Sequence, residues 1–421
     1  EYRVVIDPGH GGINVEPVER FGDKYDMISG KFLDVFKEGA TFHGIEEHNI
    51  MFQIGSKVQE LLELTETDEG FEKFKAIVSK YSNGDIPRII IRTKLSRVES
   101  KKRSELEKKK DPNDDYRLFD FPSSDNEMLP GRISNINKFK PHLVLSLHCA
   151  ESTSRDRIGM NAVISPPYSF MVKGLSYLKG ENKDRSFFLS SRYADWFEES
   201  SWPRRSSFQW FLSDAAVYFM SFHLDRHNSV EKDKFMGYRH NMVTWNYADD
   251  KGWEKVASSH PAETPFADSA SKLSLNDRYW DRERSEFEEY RRGGGPEGYG
   301  GDNAYASTEI IRFALNAVEK AGYRHRDLSL APPYISIWSV PLYVNAISAY
   351  IELGYIRMPS YRHVLVEMQD TVAEGIAVGV YSLFAGTKIP PSQFMFTPKG
   401  KSIDLEKYRV SDKESYFDVV E

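Results

Sequence analysis

Short apolar runs ending in glycine or proline turns alternate along this chain with segments whose apolar residues recur every three or four positions. Arg3-Val-Val-Ile-Asp7 reads as a strand that runs into Pro8-Gly9-His10-Gly11-Gly12. From Glu47 to Leu62 the apolar positions Ile50, Ile54, Val58, Leu61 and Leu62 have the spacing of one helix face. Ile89-Ile-Ile91, His142-Leu-Val-Leu-Ser-Leu147 and Ala349-Tyr-Ile351 are further strand candidates, and Ala373 to Phe384 reads as a closing helix. Strands that are apolar throughout, alternating with helices, predict an α/β fold: a mostly parallel twisted sheet with helices on both faces and large insertions.

Three stretches break this rhythm. Ser96 to Asp125 is strongly charged and contains the run from Lys101 to Lys110, which reads as a solvated face. Pro166 to about Tyr305 is long, aromatic and polar, and includes Arg292-Gly-Gly-Gly-Pro-Glu-Gly-Tyr-Gly-Gly301, by composition a flexible loop or hinge. Beyond Gly386 the periodicity fades. The expected organisation is one domain over residues 1–386, with insertions at about 96–128 and 166–305, and a C-terminal tail at 387–421.

Composition narrows the possible partners. A net charge of -7 over 421 residues argues against a broad nucleic-acid surface, which needs a basic footprint. The one cysteine, Cys149, rules out an intrachain disulfide and a cysteine-built zinc cage. Apolar runs are all too short to span a membrane. The chain opens directly on its first strand without a methionine, so a signal peptide is expected to have been removed.

His10 carries the clearest chemical signal. It ends a strand, and glycines on either side let backbone approach a ligand closely. His148 follows a second apolar strand in the same way, and ligand sites in open α/β sheets collect at the carboxyl ends of strands. Two imidazoles so placed can share one metal ion if their strands are neighbours. An oxygen ligand would complete a catalytic site with one position open to water, and a further acidic residue would be needed to move protons. Asp7 could orient His10 or build the turn. Arg132 reads as a structural anchor more than a substrate contact. His223 and His227 are spaced for one helix face, but Leu224 stands where the metalloprotease pattern needs glutamate, so they read as surface or packing residues. Cys149 reads as a small buried residue rather than a nucleophile.

Taken together and in order, these blocks resemble the zinc-dependent N-acetylmuramoyl-L-alanine amidases of bacterial cell-wall turnover. Val4-Val-Ile-Asp-Pro-Gly-His-Gly-Gly12 is similar to the family's first metal-ligand motif. Glu47-His-Asn-Ile50-Met-Phe52-Gln-Ile54, running on to Glu60-Leu-Leu62, resembles its ligand helix, with Glu47 in the ligand position and Glu46 the alternative register. Ile91-Arg-Thr93 resembles the strand ending T-R, with its polar pair transposed. Leu129-Pro-Gly-Arg132 with Ile136-Asn137, and Ser146-Leu-His148, match two later motifs. Ile351-Glu-Leu-Gly-Tyr355 resembles the catalytic segment, with Glu352 in the position of the catalytic glutamate. The likeness covers roughly residues 2–62, 88–93, 129–165 and 306–386. Two departures stand out: Ile13-Asn-Val-Glu-Pro replaces the usual acidic turn, and Ala150 replaces an asparagine two positions after the second histidine.

The resemblance implies Zn²⁺ held by His10, Glu47 and His148, with Glu352 as general base. The implied substrate is peptidoglycan, cut between N-acetylmuramic acid and L-alanine outside the cytoplasm, in the periplasm or after secretion. A protein activator acting through the 166–305 insertion is a possible partner; nucleic acid and a membrane span are not expected. Two other readings remain open: a zinc hydrolase of another amide, and a peptidoglycan-binding protein with a vestigial site.

Overall fold

The computed structural model describes residues 1–11, 39–97, 128–151, 159–165, 300–331 and 340–419, with short stretches at 24–26, 31–33, 118, 121–122, 287, 289–293 and 334–335. The charged run at 101–110, His223, His227 and nearly all of the 166–305 stretch lie outside the described residues.

Six strands, numbered here in chain order, form the central sheet: β1 (Tyr2–Pro8), β2 (Ile91–Leu95), β3 (Leu143–Ala150), β4 (Asn161–Ile164), β5 (Tyr334–Ile335) and β6 (Ile347–Tyr355). Their order is β5-β4-β6-β3-β1-β2. Neighbours from β2 through β1 and β3 to β6 run parallel, β4 is antiparallel to β6, and β5 is parallel to β4. The sheet is thus mostly parallel, as the apolar runs predict. Val4, Val5 and Ile6 are all fully buried, as consecutive strand residues must be when both faces are covered.

The helices are α1 (Glu47–Glu63), α2 (Asp68–Val78), α3 (Arg132–Lys138), α4 (Gly301–Lys320), α5 (Val340–Tyr343), α6 (Pro359–Glu367), α7 (Gln369–Ala385) and α8 (Tyr416–Val419). On one face Ile6, Leu145, Leu147 and Ile351 pack with Ile50, Ile54 and Val58 of α1 and with α4 and α7. On the other, Val5 and Val144 pack with Ile136 of α3 and with Val340 and Val344. Shortening a fully buried side chain such as Ile54 to alanine would cost about 2–5 kcal/mol. None of the described helices is long and apolar enough to cross a membrane.

The topology singles out one place. The chain leaves β1 through α1 to reach β2 on one side, then returns past α3 to β3 on the other side of β1. The strand order therefore reverses between β1 and β3, the kind of switch point at whose carboxyl ends open α/β sheets form a ligand crevice.

Sequence and structure differ at three elements. Pairing of the Ile89–Ile91 run begins only at Ile91, because its partner β1 starts at Tyr2. Helix α4 begins at Gly301, inside the stretch read as an insertion to Tyr305. Its amphipathic pattern is masked by buried polar residues, each meeting the C-terminal segment: Asp302 accepts from Tyr408 (2.7 Å), Glu309 from the Gly400 amide (2.7 Å), and Glu319 from the Met395 amide (3.1 Å). The segment beyond Gly386 is accordingly no loose tail. Ile403, Tyr408, Tyr416 and Phe417 are buried in the main core, and Asp418 pairs with Arg3 at 2.7 Å.

His142 joins this segment to the sheet. Its ring lies against Tyr2, Phe384 and Phe417, and its Nδ1 accepts the Arg3 amide at 3.1 Å. Burial, followed by the charge of Arg3, depresses its pKa to about 4. Protonation therefore favours the unfolded chain. The contribution is complete above the unfolded value of about 6.5 and is lost as pH falls through 4. Urea unfolding should show stability falling by about 2–3 kcal/mol between pH 7 and pH 4.5 from this group. His142→Asn, which keeps an acceptor without titrating, should remove that part of the pH dependence; an unchanged profile would refute the assignment.

Candidate metal and catalytic site

At the β1–β3 crevice the chain brings three of its candidates together. One ligand atom each from His10, Glu47 and His148 lies within 4.8 Å of the others. His10 Nε2 is 3.4 Å and His148 Nδ1 is 3.1 Å from the same oxygen, Glu47 Oε1. Ligands about 2.0–2.1 Å from a tetrahedral zinc lie about 3.3 Å apart, so the donor set and its spacing fit a zinc ion.

Each member is placed by a local feature. His10 follows β1 with φ 58°, a left-handed backbone that non-glycine residues rarely adopt and that tends to mark functional sites. His148 sits near the end of β3, its ring stacked on Tyr350 (4.4 Å, 9°) and pressed on the Gly9 backbone. A Cβ on Gly9 would lie 2.4 Å from that ring. Glu47 opens α1 directly after a short hairpin, Thr41–Phe42 with Ile45–Glu46, whose His43-Gly44 turn has φ 48° and 78°, as a type I′ turn requires. The Glu47 amide closes back on the Ala40 carbonyl at 2.9 Å.

The carboxylate of Glu47 is buried yet well served. Oε2 accepts the Ala40 amide (2.7 Å), and Oε1 accepts the Cys149 amide (3.0 Å). Burial pushes its pKa up, but His10 and His148 outweigh that and hold it well below the usual carboxylate range. Burial lowers the pKa of His148 against the opposing pull of Glu47, which favours the neutral imidazole that metals bind. Glu46 points elsewhere, accepting from Asn49 (2.6 Å) and lying 3.6 Å from His48. Of the two registers, Glu47 is the one that faces the histidines.

Glu352 is outside the three-residue cluster but beside it. It pairs in register with His148 on the neighbouring parallel strand, so both side chains stand on the same face, one strand spacing apart. Cys149 is buried, and burial followed by the charges of Glu47 and Glu352 raises its thiol pKa well above the ordinary value. It is no thiolate nucleophile.

Asp7 does not touch the His10 ring. Its carboxylate accepts from Ser96 (2.5 Å), Ser146 (3.0 Å) and Arg132 (3.2 Å), and Arg132 in turn donates to the His10 carbonyl at 2.8 Å. Asp7 thus acts on the turn through Arg132, which is the structural anchor its sequence context suggests. Arg97, which the sequence reading passed over, is its counterpart. It is buried and donates to the carbonyls of Pro8 (3.1 Å), Gly9 (3.4 Å) and His48 (2.7 Å). The only signal available was its position just past β2, in a stretch that reads as solvated charge.

No family model and no curated protein matches the chain. Among solved structures it is similar to the N-acetylmuramyl-L-alanine amidase Ami1 of Mycobacterium smegmatis (14% identity, TM-score 0.35), covering 90% of this chain and 94% of that one. The corresponding Ami1 of Mycobacterium abscessus gives 12% identity and a TM-score of 0.35 over 90% and 96%. The amidase AmiC2 of Nostoc punctiforme gives 12% and 0.32 over 90% and 94%. Superpositions this loose carry no argument about activity.

The Asp7–Arg132 pair is almost completely buried, at 0% and 2% side-chain exposure. Removing one partner should cost about 3–5 kcal/mol by leaving the other charge uncompensated. Arg132→Met is expected to lower the urea midpoint accordingly. Asp7→Asn combined with it should cost less than the two single changes summed. Additive losses would show that the two residues do not work as a pair.

Proposed function

We propose that this protein is a zinc-dependent N-acetylmuramoyl-L-alanine amidase. The observation that carries the reading is the meeting of His10, Glu47 and His148, drawn from three distant segments, with Glu352 on the strand beside them. The ordered motif resemblance across the same residues supports it. His10, Glu47 and His148 are the residues that would hold Zn²⁺. Bound there, the ion would polarise the scissile carbonyl and acidify water.

The remaining work falls to the protein's own side chains. Glu47, ionised between two imidazoles, keeps both rings turned inward. Glu352 accepts a proton from the attacking water at its carboxylate and then delivers it to the departing amine nitrogen. The turn carbonyls held by Arg97 and Arg132 keep His10 from relaxing out of its left-handed conformation. The bond broken is the amide between the lactyl carbonyl of N-acetylmuramic acid and L-alanine, so the enzyme acts where peptidoglycan lies, in the periplasm or after secretion. A protein activator reaching the site through the 166–305 stretch belongs to the same proposal.

Mass spectrometry of peptidoglycan digests, with zinc quantification on the same preparation, tests this reading. One zinc per chain and release of stem peptides with a free L-alanine amino terminus are expected. Cleavage at another amide would favour a differently directed hydrolase, and no zinc at equilibrium would favour a binding protein. Glu352→Gln should lower kcat by at least about 10²–10⁴-fold while zinc stays bound. Full activity in that variant would remove Glu352 from the mechanism.

A further inference from the structure

Across the carboxyl end of the sheet, three polar side chains stand in one row. His148 on β3 pairs in register with Glu352 on β6, and Glu352 pairs in register with Asn161 on β4. Residues directly opposite each other on adjacent strands point to the same face, with Cβ atoms about 4.5–5.5 Å apart. Asn161 therefore flanks Glu352 on the side away from the metal-ligand cluster. Its flanking residue Ala162 pairs with Ile351, which turns into the opposite, apolar core.

Asn161 is more than nine-tenths buried, yet its side-chain amide makes no hydrogen bond among the described residues. An amide offers two donors and an acceptor, and those of Asn161 are not among the polar atoms sealed from solvent without a partner, so a ligand can reach them. Elsewhere the half-buried Asn137 donates to the Tyr343 carbonyl (3.2 Å) and accepts from the Asn345 backbone amide (2.9 Å), and the buried Asn316 donates to the Phe396 carbonyl (2.6 Å). Ala150, two residues beyond His148 on the same strand face, supplies no polar group there.

We propose that Asn161 binds a secondary amide of the substrate immediately flanking the scissile bond, and so fixes that bond against Glu352. The match is chemical. A primary carboxamide can donate to the carbonyl of a secondary amide and accept from its N–H, without charge and without competing for the metal. This assignment rests on the amidase reading, whose substrate carries two such groups near the cut: the acetamido group of the sugar and the next peptide bond of the stem. Both present the same chemistry, and the experiment separates them.

The test measures muropeptide hydrolysis and, in the Glu352→Gln background, muropeptide binding by calorimetry. Asn161→Leu and the smaller Asn161→Ser should each raise KM and Kd about tenfold, the loss of one to two neutral hydrogen bonds. Zinc affinity and the urea midpoint should stay close to wild type. Repeating the binding with a de-N-acetylated sugar and with a stem ending at L-alanine identifies the amide, because the variants lose nothing against the ligand that lacks the recognised group. KM and Kd within twofold of the parent in both variants overturn the assignment, as does a loss of zinc affinity, which would mark Asn161 as structural. A wild type that cleaves muropeptides with an indifferent Asn161 sinks this inference alone. A wild type that neither cleaves nor binds them sinks the amidase reading with it.

Discussion

The site depends on how three consecutive backbone carbonyls are satisfied. To place His10 over the crevice the chain must stop pairing after Pro8 and turn sharply, which takes the carbonyls of Pro8, Gly9 and His10 out of the sheet ladder. Two buried guanidinium groups meet them: Arg97 reaches the first two, and Arg132 the third. Unmet, each carbonyl would carry a desolvation penalty of about 1–3 kcal/mol. The left-handed backbone of His10 persists because its surroundings over-determine it. Arg97 extends the clamp by also holding the His48 carbonyl, tying the His10 turn to the first turn of α1 and so to Glu47.

Asp7 makes this clamp tolerable. A buried arginine without a counter-charge would be expensive, and Asp7 supplies that charge at 0% exposure. Its remaining acceptor capacity goes to Ser96 and Ser146. The serines come from the two strands flanking β1: one follows β2, the other lies within β3. One carboxylate thus joins the three strands and α3 at the point where the strand order reverses. The Asp-Pro-Gly-His string is thus a folding instruction, whatever His10 goes on to bind.

Much of this was legible in the sequence because it rests on local regularities. The apolar runs locate β1, β3 and β6, since a doubly covered sheet leaves no polar face to interrupt them. The spacing from Ile50 to Leu62 locates α1, and Glu47 is the first residue of that helix. What stayed hidden depends on contacts distant in sequence. Arg97 looks like one more charge in a charged stretch until β2 lies beside β1. Helix α4 looks irregular because its buried Asp302, Glu309 and Glu319 answer backbone and side-chain groups from the last 35 residues. The same pairing hides order in that C-terminal segment, where several of the contacts are made by backbone amides that carry no periodic signature. Asn161 gives no signal either, because its significance arises only from its register against Glu352.

The two glutamates of the site stand in different environments, which suit the different duties proposed for them. Glu47 is buried at a helix start, bonded by two backbone amides and drawn by two imidazoles, so its charge is fixed and its oxygens are committed. A group held that firmly in its ionised form is a poor proton carrier and a good ligand. Glu352 stands on β6, in register with His148 on the neighbouring strand, and its half-buried side chain lies outside the three-residue cluster. Its carboxylate is not one of the three clustered groups, so the role proposed for it leaves that set intact. The proposed division of labour follows from element and environment: the carboxylate at the helix start would hold the ion, and the one on the neighbouring strand would move the proton.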